Sequence, residues 1–223
     1  MKKEILVAGA TGRLGRIVVE KLVESGIQPR VLVRDLPQAK ALFGQGAIYH
    51  QGDVRDIETL YPAMKDVETV ISCIGSSTPV GKNCPKHVDY KGVASLVKAA
   101  CMHNVQRFIL ISSIAVTSSD HPLNGFGKVL EWKLKGEDCL RQSSLDFAII
   151  RPGGLINTPG GQHGLIIDQG DCIMGTISRE DVAAIVLHTL YFPKKLGVTF
   201  EVIETEQEDE INWLEAFTAL SPD

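Results

Sequence analysis

The chain has 223 residues, of which 44% are hydrophobic and 22% charged, with a formal net charge of −4 at pH 7. This is an ordinary globular composition, and its acidity argues against a nucleic-acid partner, which would require a basic face. No apolar run approaches the roughly 18 residues of a membrane span, and Met1 to Glu4 lead directly into the first apolar run, so we predict no signal peptide.

The five cysteines are widely spaced and form no C-x-x-C pair. This pattern is typical of reduced thiols in a cytoplasmic compartment. The six histidines show no metal-ligand spacing such as H-E-x-x-H, so no metal site is predicted.

The first predicted element is a strand, a tight turn and a helix. The apolar run Ile5–Ala8 leads into Gly9, Gly12 and Gly15, and a helical period follows over residues 17–23. Glycine permits positive φ and lets the backbone approach a ligand closely. The free N–H groups and positive dipole end of the following helix attract an anion. The stretch therefore predicts a turn that binds a pyrophosphate; the alternative is a strand–helix crossover in which the glycines only aid packing.

Apolar runs that indicate strands alternate with helical periods as far as residue 152. The predicted strands are 30–33, 47–50, 67–74, 107–111 and 147–150, and the helices are 37–43, 85–103 and 128–142. The strands are continuously apolar, as expected when both faces of a sheet are covered. The alternation predicts an α/β fold of the Rossmann type, with a doubly wound parallel sheet and helices on both faces.

After residue 152 the chain becomes rich in glycine. Short strands are predicted near 164–168 and 172–177, Ser178 opens a helix with a sequence like a capping box, and a strand at 198–203 and a helix at 211–220 follow. We interpret 1–223 as one nucleotide-binding domain, with 153–178 and 197–223 as substrate-side and C-terminal additions. The acidic residues between 201 and 210 are either a docking patch or, the favoured interpretation, a solvated loop.

Gly9-Ala-Thr-Gly12-Arg-Leu-Gly15 resembles the G-x-x-G-x-x-G turn of the short-chain dehydrogenase/reductase superfamily. Further stretches are similar to its atypical, NmrA-like branch, in particular to small plant and cyanobacterial NAD(P)-binding proteins. These stretches are Val33-Arg-Asp35, Gly52-Asp-Val54, Ile111-Ser-Ser113, Ile150-Arg-Pro-Gly-Gly154 and Leu130-Glu-Trp-Lys-Leu-Lys-Gly-Glu137. The resemblance implies a Rossmann sheet of about seven strands, a nicotinamide cofactor, and a substrate pocket built after residue 152.

The end of the second strand decides between NAD and NADP. An acidic residue there accepts hydrogen bonds from the ribose 2′-hydroxyl, whereas an arginine accommodates a 2′-phosphate. The chain has Arg34 at this point, so NADP (NADPH) is the expected cofactor, and Arg13 is a second candidate for the phosphate. The alternative for Arg34 is an exposed side chain paired with Asp35.

The resemblance assigns further residues to the cofactor. Asp53, with Val54, is expected against the adenine amino group, although an aspartate here also suits a turn in which it bonds its own backbone. Ile74 and Gly75 are expected beside the ribose, and the loop of residues 152–155 at the nicotinamide amide. The full set of expected cofactor residues is Gly9, Ala10, Thr11, Gly12, Arg13, Leu14, Gly15, Arg34, Asp53, Val54, Ile74, Gly75, Lys133, Pro152, Gly153, Gly154 and Leu155.

The usual catalytic group of the superfamily is a serine with a tyrosine and a lysine four residues apart, so that the latter two share one helix face. The pairs Tyr61/Lys65 and Tyr191/Lys195 match this spacing but lie outside the expected helix or across a proline. If Glu137 is the family's glutamate four residues after the lysine, the resemblance assigns Lys133 as that lysine, and the tyrosine position holds Val129.

Lys133 is then expected to hold the ribose hydroxyls, and Ser112 and Ser113 to hydrogen-bond the substrate or nicotinamide. These three residues are the catalytic candidates, although Lys133 also suits a helix surface and the serines also suit a loop cap.

The leading hypothesis is an NADP(H)-binding oxidoreductase that reduces a small carbonyl or conjugated substrate. The missing tyrosine supports a rival, a non-catalytic redox sensor or assembly factor that docks on a protein partner. An isomerase or dehydratase of the extended type is a weaker third hypothesis, because such enzymes normally need the tyrosine. We expect a cytoplasmic monomer or weak dimer.

Overall fold

The computed structural model describes residues 4–192, 197–207 and 211–223. Its strands are β1 (Ile5–Ala8), β2 (Arg30–Val33), β3 (Ile48–Gln51), β4 (Thr69–Ser72), β5 (Arg107–Ile111), β6 (Asp146–Pro152), β7 (Gly154–Ile156), β8 (Gly164–Asp168), β9 (Thr176–Ser178) and β10 (Val198–Thr205). Its α-helices are α1 (Arg13–Glu24), α2 (Leu36–Phe43), α3 (Tyr61–Met64), α4 (Lys91–Met102), α5 (Val129–Arg141), α6 (Arg179–Tyr191) and α7 (Trp213–Ala219).

The main sheet has eight strands in the order β3-β2-β1-β4-β5-β6-β10-β8. All neighbours are parallel except β8, which runs antiparallel to β10, and β7 and β9 form a separate parallel pair. The strand order reverses between β1 and β4, which is where α/β sheets of this type bind ligands. The predicted Rossmann-type fold is confirmed, with one strand more than the seven that the resemblance implies.

Each face of the sheet carries its own hydrophobic core. Alternate residues of β1 point to opposite faces: Ile5 and Val7 join one core, and Leu6 and Ala8 join the other. Helices α1, α2, α6 and α7 cover the first core, whereas α3, α4 and α5 cover the second. This arrangement explains why the strands are apolar at every position rather than at every second one.

Several predicted elements begin or end at other residues in the structure, and two of these differences lie near the site. The helix expected over 85–103 starts with a π-helical turn, Lys86–Tyr90, before α4. The strand expected over 172–177 is reduced to β9. Gly170 and Asp171, with φ of 104° and 60°, turn the chain before residue 172. Ser178 caps α6 as predicted, accepting a hydrogen bond from the backbone N–H of Asp181 at 3.0 Å.

The acidic segment is not one solvated loop. Glu201 is fully buried in β10 and lies 3.2 Å from the guanidinium of Arg151, and Glu204 accepts a hydrogen bond from the backbone N–H of Ser178. Glu208, Asp209, Glu210 and Lys195 lie outside the described residues. All five cysteines are free thiols, and no helix in the described ranges is long and apolar enough to cross a membrane.

Candidate cofactor and substrate site

The turn between β1 and α1 can exist only with glycine at two of its positions. Gly9 has φ +80°, and a Cβ there would lie 2.6 Å from the carbonyl oxygen of Cys73, the residue that follows β4. A Cβ on Gly15 would overlap the carbonyl oxygen of Gly9, so Gly15 lets α1 pack directly against the turn. Gly12 precedes α1 and supplies no side-chain cap, and the first turn of α1 carries no acidic residue. The first N–H groups of α1 are therefore left for an anion.

A cleft of about 360 Å³ lies at the carboxyl ends of β1, β2, β3 and β4. It brings together eight of the residues predicted to bind the cofactor: Gly9, Thr11, Gly12, Arg34, Asp53, Val54, Ile74 and Gly75. It also has lining residues that the sequence reasoning missed, among them Gln38, Arg55, Ser77 and Asn83. A groove at this edge of a Rossmann sheet has the position of a dinucleotide site.

Arginine side chains dominate the end of the cleft beside β2. Arg34 donates to the Asn83 side-chain oxygen at 3.2 Å, and Arg55 donates to the same oxygen at 3.0 Å. Asp35 does not pair with Arg34; its carboxylate instead caps α2, accepting from the backbone N–H of Gln38 at 2.9 Å. No carboxylate from the end of β2 therefore opposes an anion at Arg34.

Asp53 is paired rather than free. Its carboxylate accepts from the side chain of Arg55 at 2.8 Å and from the backbone N–H of Arg55 at 3.0 Å. The side-chain hydrogen bond from Arg55 holds the pKa of Asp53 below its ordinary value. The carboxylate therefore stays ionised, and the guanidinium of Arg55 balances its charge. The hydrogen bond from the backbone N–H of Arg55 to the Asp53 carboxylate is the local turn contact that the sequence also suggested for Asp53, as the alternative to an adenine contact.

Backbone hydrogen bonds hold the chain where it passes from β6 to β7. Gly153 donates to the Val202 carbonyl at 2.9 Å, and Gly154 donates to the Gly175 carbonyl at 2.9 Å. A Cβ on Gly153 would lie 2.6 Å from the Gly175 carbonyl oxygen, so this position needs glycine. Pro152 and Gly153 are buried, Gly154 is exposed and Leu155 is half-buried.

The remaining residues of the glycine turn differ in how far their side chains are buried. Ala10 and Leu14 are buried in the core, and Arg13 faces a second cleft beyond the turn. The first cleft therefore contains the backbone of the turn and not its Arg13 side chain.

Lys133 is engaged by a buried carboxylate. Its ammonium nitrogen lies 2.9 Å from Oδ1 of Asp89, whose side chain is 1% exposed. The other oxygen, Oδ2, accepts from the backbone N–H of Ser76 at 3.1 Å. Asp89 lies on the π-helical turn before α4, and π-helical turns occur frequently at functional sites. The pair connects α5 to the loop after β4 at the edge of the cleft.

Ser112 lies beside this pair. Its backbone N–H donates to the Ile150 carbonyl at 2.8 Å, but its buried hydroxyl has no hydrogen-bond partner among the described residues. Ser112, Lys133, Asp89 and Ile74 line one small cavity of about 10 Å³. Ile74 also lines the larger cleft, so the two spaces adjoin. Ser113 is half-buried, and Val129, at the tyrosine position, is half-buried at the start of α5.

A buried ionic cluster anchors this side of the site. Glu137 of α5 accepts from Arg151 of β6 at 2.7 Å, and Arg151 also donates to Glu201 of β10 at 3.2 Å. Burial raises the pKa of the Glu201 carboxyl, although a hydrogen bond from the backbone of Asp171 and the charge of Arg151 oppose this shift. Asp171 in turn accepts from the backbone N–H groups of Ala115 and Thr117 at 2.6 and 2.8 Å. The cluster therefore holds the loop after β5 next to Ser112.

Two of the missed residues had a signal in the sequence. Asp89 is a charged residue on the otherwise apolar face of a predicted helix, in register with Val93 and Leu96. Arg55 stands two residues after Asp53, a spacing that suits a pair across a turn. Asn83 lies in a loop, and only the folded chain brings it to Arg34 and Arg55. No group of three or more possible metal ligands occurs among the described residues.

The parallel sheet, the glycine turn at its reversal point and the adjoining cleft define a Rossmann-type dinucleotide-binding protein. The chain matches the model of the NAD(P)H-binding family over residues 9–193. It therefore belongs to this family.

Related sequences include both enzymes and proteins without a described reaction. An uncharacterized chloroplastic protein of Arabidopsis thaliana is 31% identical over 212 residues, which cover 83% of this chain and 65% of the relative. Sanguinarine reductase of Eschscholzia californica is 28% identical, over 90% of this chain and 89% of that protein. The photosystem II assembly factor Ycf39 of Cyanophora paradoxa is 29% identical, over 97% of this chain and 68% of the relative.

Solved structures share the fold. A Bacillus halodurans protein named as an NAD-dependent epimerase/dehydratase superimposes with a TM-score of 0.82 and 25% identity, covering 97% of this chain and 99% of that one. A short-chain dehydrogenase/reductase of Veillonella parvula in complex with NADP gives a TM-score of 0.73 at 18% identity, over 94% and 99% of the two chains.

Proposed function

We propose that the protein is an NADP(H)-dependent oxidoreductase that reduces a small carbonyl or conjugated substrate. The observation that carries the cofactor preference is the arrangement at Arg34. Arg34 faces the cleft, the neighbouring Asp35 is used as a helix cap, and Asp53 is neutralised by Arg55. A guanidinium whose neighbouring carboxylates are taken by a helix cap and by another arginine favours the 2′-phosphate of NADP(H) over the 2′-hydroxyl of NAD(H).

The rest of the cleft fits the same cofactor. The glycine turn offers backbone N–H groups for the pyrophosphate, and Ile74 and Gly75 line the cleft beside it. Outside the residues that line this cleft, Pro152 at the end of β6, Gly153, and Gly154 and Leu155 of β7 are the proposed contact for the nicotinamide amide. The nicotinamide would supply hydride to the substrate.

The proposed roles of Ser112, Ser113 and Lys133 rest on their place at the end of β5 and on α5. The buried hydroxyl of Ser112 has no partner among the described residues, so it is available to donate to a substrate oxygen. The ammonium of Lys133 is oriented by Asp89 at 2.9 Å and lies where it can also hydrogen-bond a ribose hydroxyl. With Val129 in the tyrosine position, α5 supplies no phenol as the proton donor.

The second candidate is a non-catalytic protein that binds NADP(H) as a sensor or assembly factor. Two observations favour it: Val129 replaces the tyrosine, and Lys133 is already held by an acidic residue. The similarity to an assembly factor as well as to a reductase is compatible with either candidate. Both require the cofactor, so they differ only in whether hydride leaves it.

Calorimetry tests the cofactor assignment. A hydrogen bond to a charged group contributes about 1.5–3 kcal/mol, which corresponds to about 10- to 150-fold in affinity. Wild type should therefore bind NADPH at least about tenfold more tightly than NADH, and Arg34→Ala should lose most of this difference. Arg16→Ala, which removes an exposed arginine paired with Glu20, should keep it. Equal affinity of wild type for the two nucleotides would show that Arg34 does not contact the phosphate.

Single-turnover kinetics separate the two candidates. NADPH oxidation by stoichiometric protein is followed with aldehydes, quinones and flavins as acceptors. Hydride transfer that Ser112→Ala slows, with unchanged NADPH affinity, supports the oxidoreductase. Tight NADPH binding without oxidation by any acceptor class supports the sensor.

A reducing, cytoplasm-like compartment is part of the proposal, because all five cysteines are unpaired. Denaturing thiol titration without reductant should find all five.

A further inference from the structure

A second cleft, of about 530 Å³, opens on the far side of the glycine turn. Its walls are the start of α1, the end of α2, the start of α6 and the residues Asn157 and Thr158 after β7. It shares only Thr11, Gly12 and Gln38 with the proposed cofactor cleft. The two spaces are therefore neighbours with different far walls.

Three arginines line this second cleft, and two of them have no acidic partner. Arg16 pairs with Glu20 at 3.3 Å. Arg13 is exposed, and across 4–192, 197–207 and 211–223 it makes no ion pair or side-chain hydrogen bond. Arg179 donates to the Leu155 carbonyl at 3.0 Å and to the Asn157 side-chain oxygen at 2.7 Å, which are neutral acceptors.

The acidic residue that lines this cleft, Glu180, is used elsewhere. The carboxylate of Glu180 accepts from the backbone N–H of Gly160 at 3.0 Å. Arg13 and Arg179 both line this cleft, and burial, followed by the positive charge of Arg13, lowers the pKa of Arg179. Arg13 is also the first residue of α1 and Arg179 the first of α6, so each positive charge is added to the positive end of a helix dipole. Like charges in this arrangement repel, and an oxyanion between them would reverse the sign of the interaction.

We infer that Arg13 and Arg179 form an oxyanion site for a second ligand, a small molecule that carries a phosphate or a carboxylate. The inference rests on the proposed function only in assigning the cofactor to the first cleft. There the pyrophosphate has the backbone of the glycine turn and the 2′-phosphate has Arg34, so the anionic groups of the cofactor are already provided for. Arg179 also fixes the segment of Leu155 and Asn157 that follows the proposed nicotinamide loop, so the second ligand would lie next to the cofactor. The substrate or effector is therefore an anion.

The test is a calorimetric titration of the NADPH-saturated protein with inorganic phosphate, and separately with succinate, at constant ionic strength. Phosphate or succinate should bind to wild type, and the tighter of the two identifies a phosphate ester or a carboxylate as the source. Arg179→Gln keeps a donor for Leu155 and Asn157 but removes the charge; it should weaken this binding about tenfold or more and leave NADPH affinity within about twofold. The matched control Arg16→Gln, which removes the same charge from the same cleft, should change neither affinity.

Two results would overturn the inference. In the first, saturating NADPH abolishes phosphate binding and Arg179→Gln weakens NADPH itself, which would assign the arginines to the cofactor. In the second, Arg179→Gln binds both anions as tightly as wild type does, or wild type binds neither anion. Arg179→Lys, which retains the charge, should recover binding; if it is as weak as Arg179→Gln while its thermal unfolding matches wild type, charge is not the cause. Failure of the proposed function is measured separately, by the NADPH and NADH titrations of wild type.

Discussion

The ion pair of Asp89 and Lys133 gives the sharpest test of how this site is built. The Asp89 side chain is 1% exposed and that of Lys133 is 18% exposed, and their charged atoms are 2.9 Å apart. Asp89→Asn keeps an acceptor for the Ser76 N–H but leaves the ammonium without its counter-charge. Removing one partner of a buried pair costs about 3–5 kcal/mol. For a chain of this length, each kcal/mol lowers the unfolding midpoint by about 2–4 °C, so we expect a fall of about 6–20 °C.

The assay is thermal and urea unfolding without nucleotide, since a bound ligand would raise the apparent stability. Lys133→Met in the Asp89→Asn background removes the stranded charge. The double variant should therefore lose about 2 kcal/mol less than the sum of the single losses. Asp138→Asn is the matched control, because Asp138 pairs with Arg141 but is 50% exposed; it should cost less than about 1 kcal/mol. A cost for Asp89→Asn as small as for the control, or additive losses in the double variant, would refute the account of a buried, coupled pair.

Two further predictions concern the turn and the C-terminal helix. Gly15→Ala should destabilise the fold by about 1–3 kcal/mol through overpacking and weaken NADPH binding, because its Cβ would overlap the Gly9 carbonyl. The control is Gly125→Ala, since a Cβ at that position meets no atom within 4 Å. Equal unfolding midpoints for the two variants would contradict the prediction. His188 stacks on Trp213 with ring centroids 4.5 Å apart, and burial holds its pKa below the ordinary value of 6.5. Because the folded pKa is lowered, the unfolded state binds the proton first, so stability should fall as the pH drops below 6.5. In a Trp132→Phe background the fluorescence of Trp213 should titrate with a midpoint below 6.5, and His188→Gln should abolish the transition; a midpoint above 6.5 would mean that burial does not control this histidine.

Local sequence patterns were enough to predict the frame of the molecule. The strands β2, β5 and β8 have the predicted bounds, α5 differs from prediction by one residue at either end, and α6 begins directly after Ser178 as predicted. The glycine turn was also predicted from the local pattern. Glycine is needed at position 9 because a Cβ would meet the Cys73 carbonyl oxygen, and at position 15 because a Cβ would meet the Gly9 carbonyl oxygen. These features depend on backbone conformation and on the burial of continuous apolar runs, which a stretch of ten to twenty residues already specifies.

The charged residues of the site could not be assigned in this way. Arg34 was predicted to face either a phosphate or Asp35, and the fold decides against Asp35, because α2 begins there and takes its carboxylate as a cap. Glu201 belongs to an acidic stretch that suits a solvated loop, yet β10 buries it against Arg151. In both cases the partner of the charge comes from an element that the local pattern does not specify.

The sequence by itself therefore determined the Rossmann-type sheet, the glycine turn between β1 and α1 and the absence of a tyrosine from the expected position on α5. Only the tertiary structure decided that Lys133 is held by Asp89, that Asn83 lies against Arg34 and Arg55, and that Arg13 and Arg179 line one cleft. The physical reason is range: backbone propensity and apolar periodicity act between neighbours in the chain, whereas the partner of a buried or clustered charge is set by which distant segments the folded core brings together.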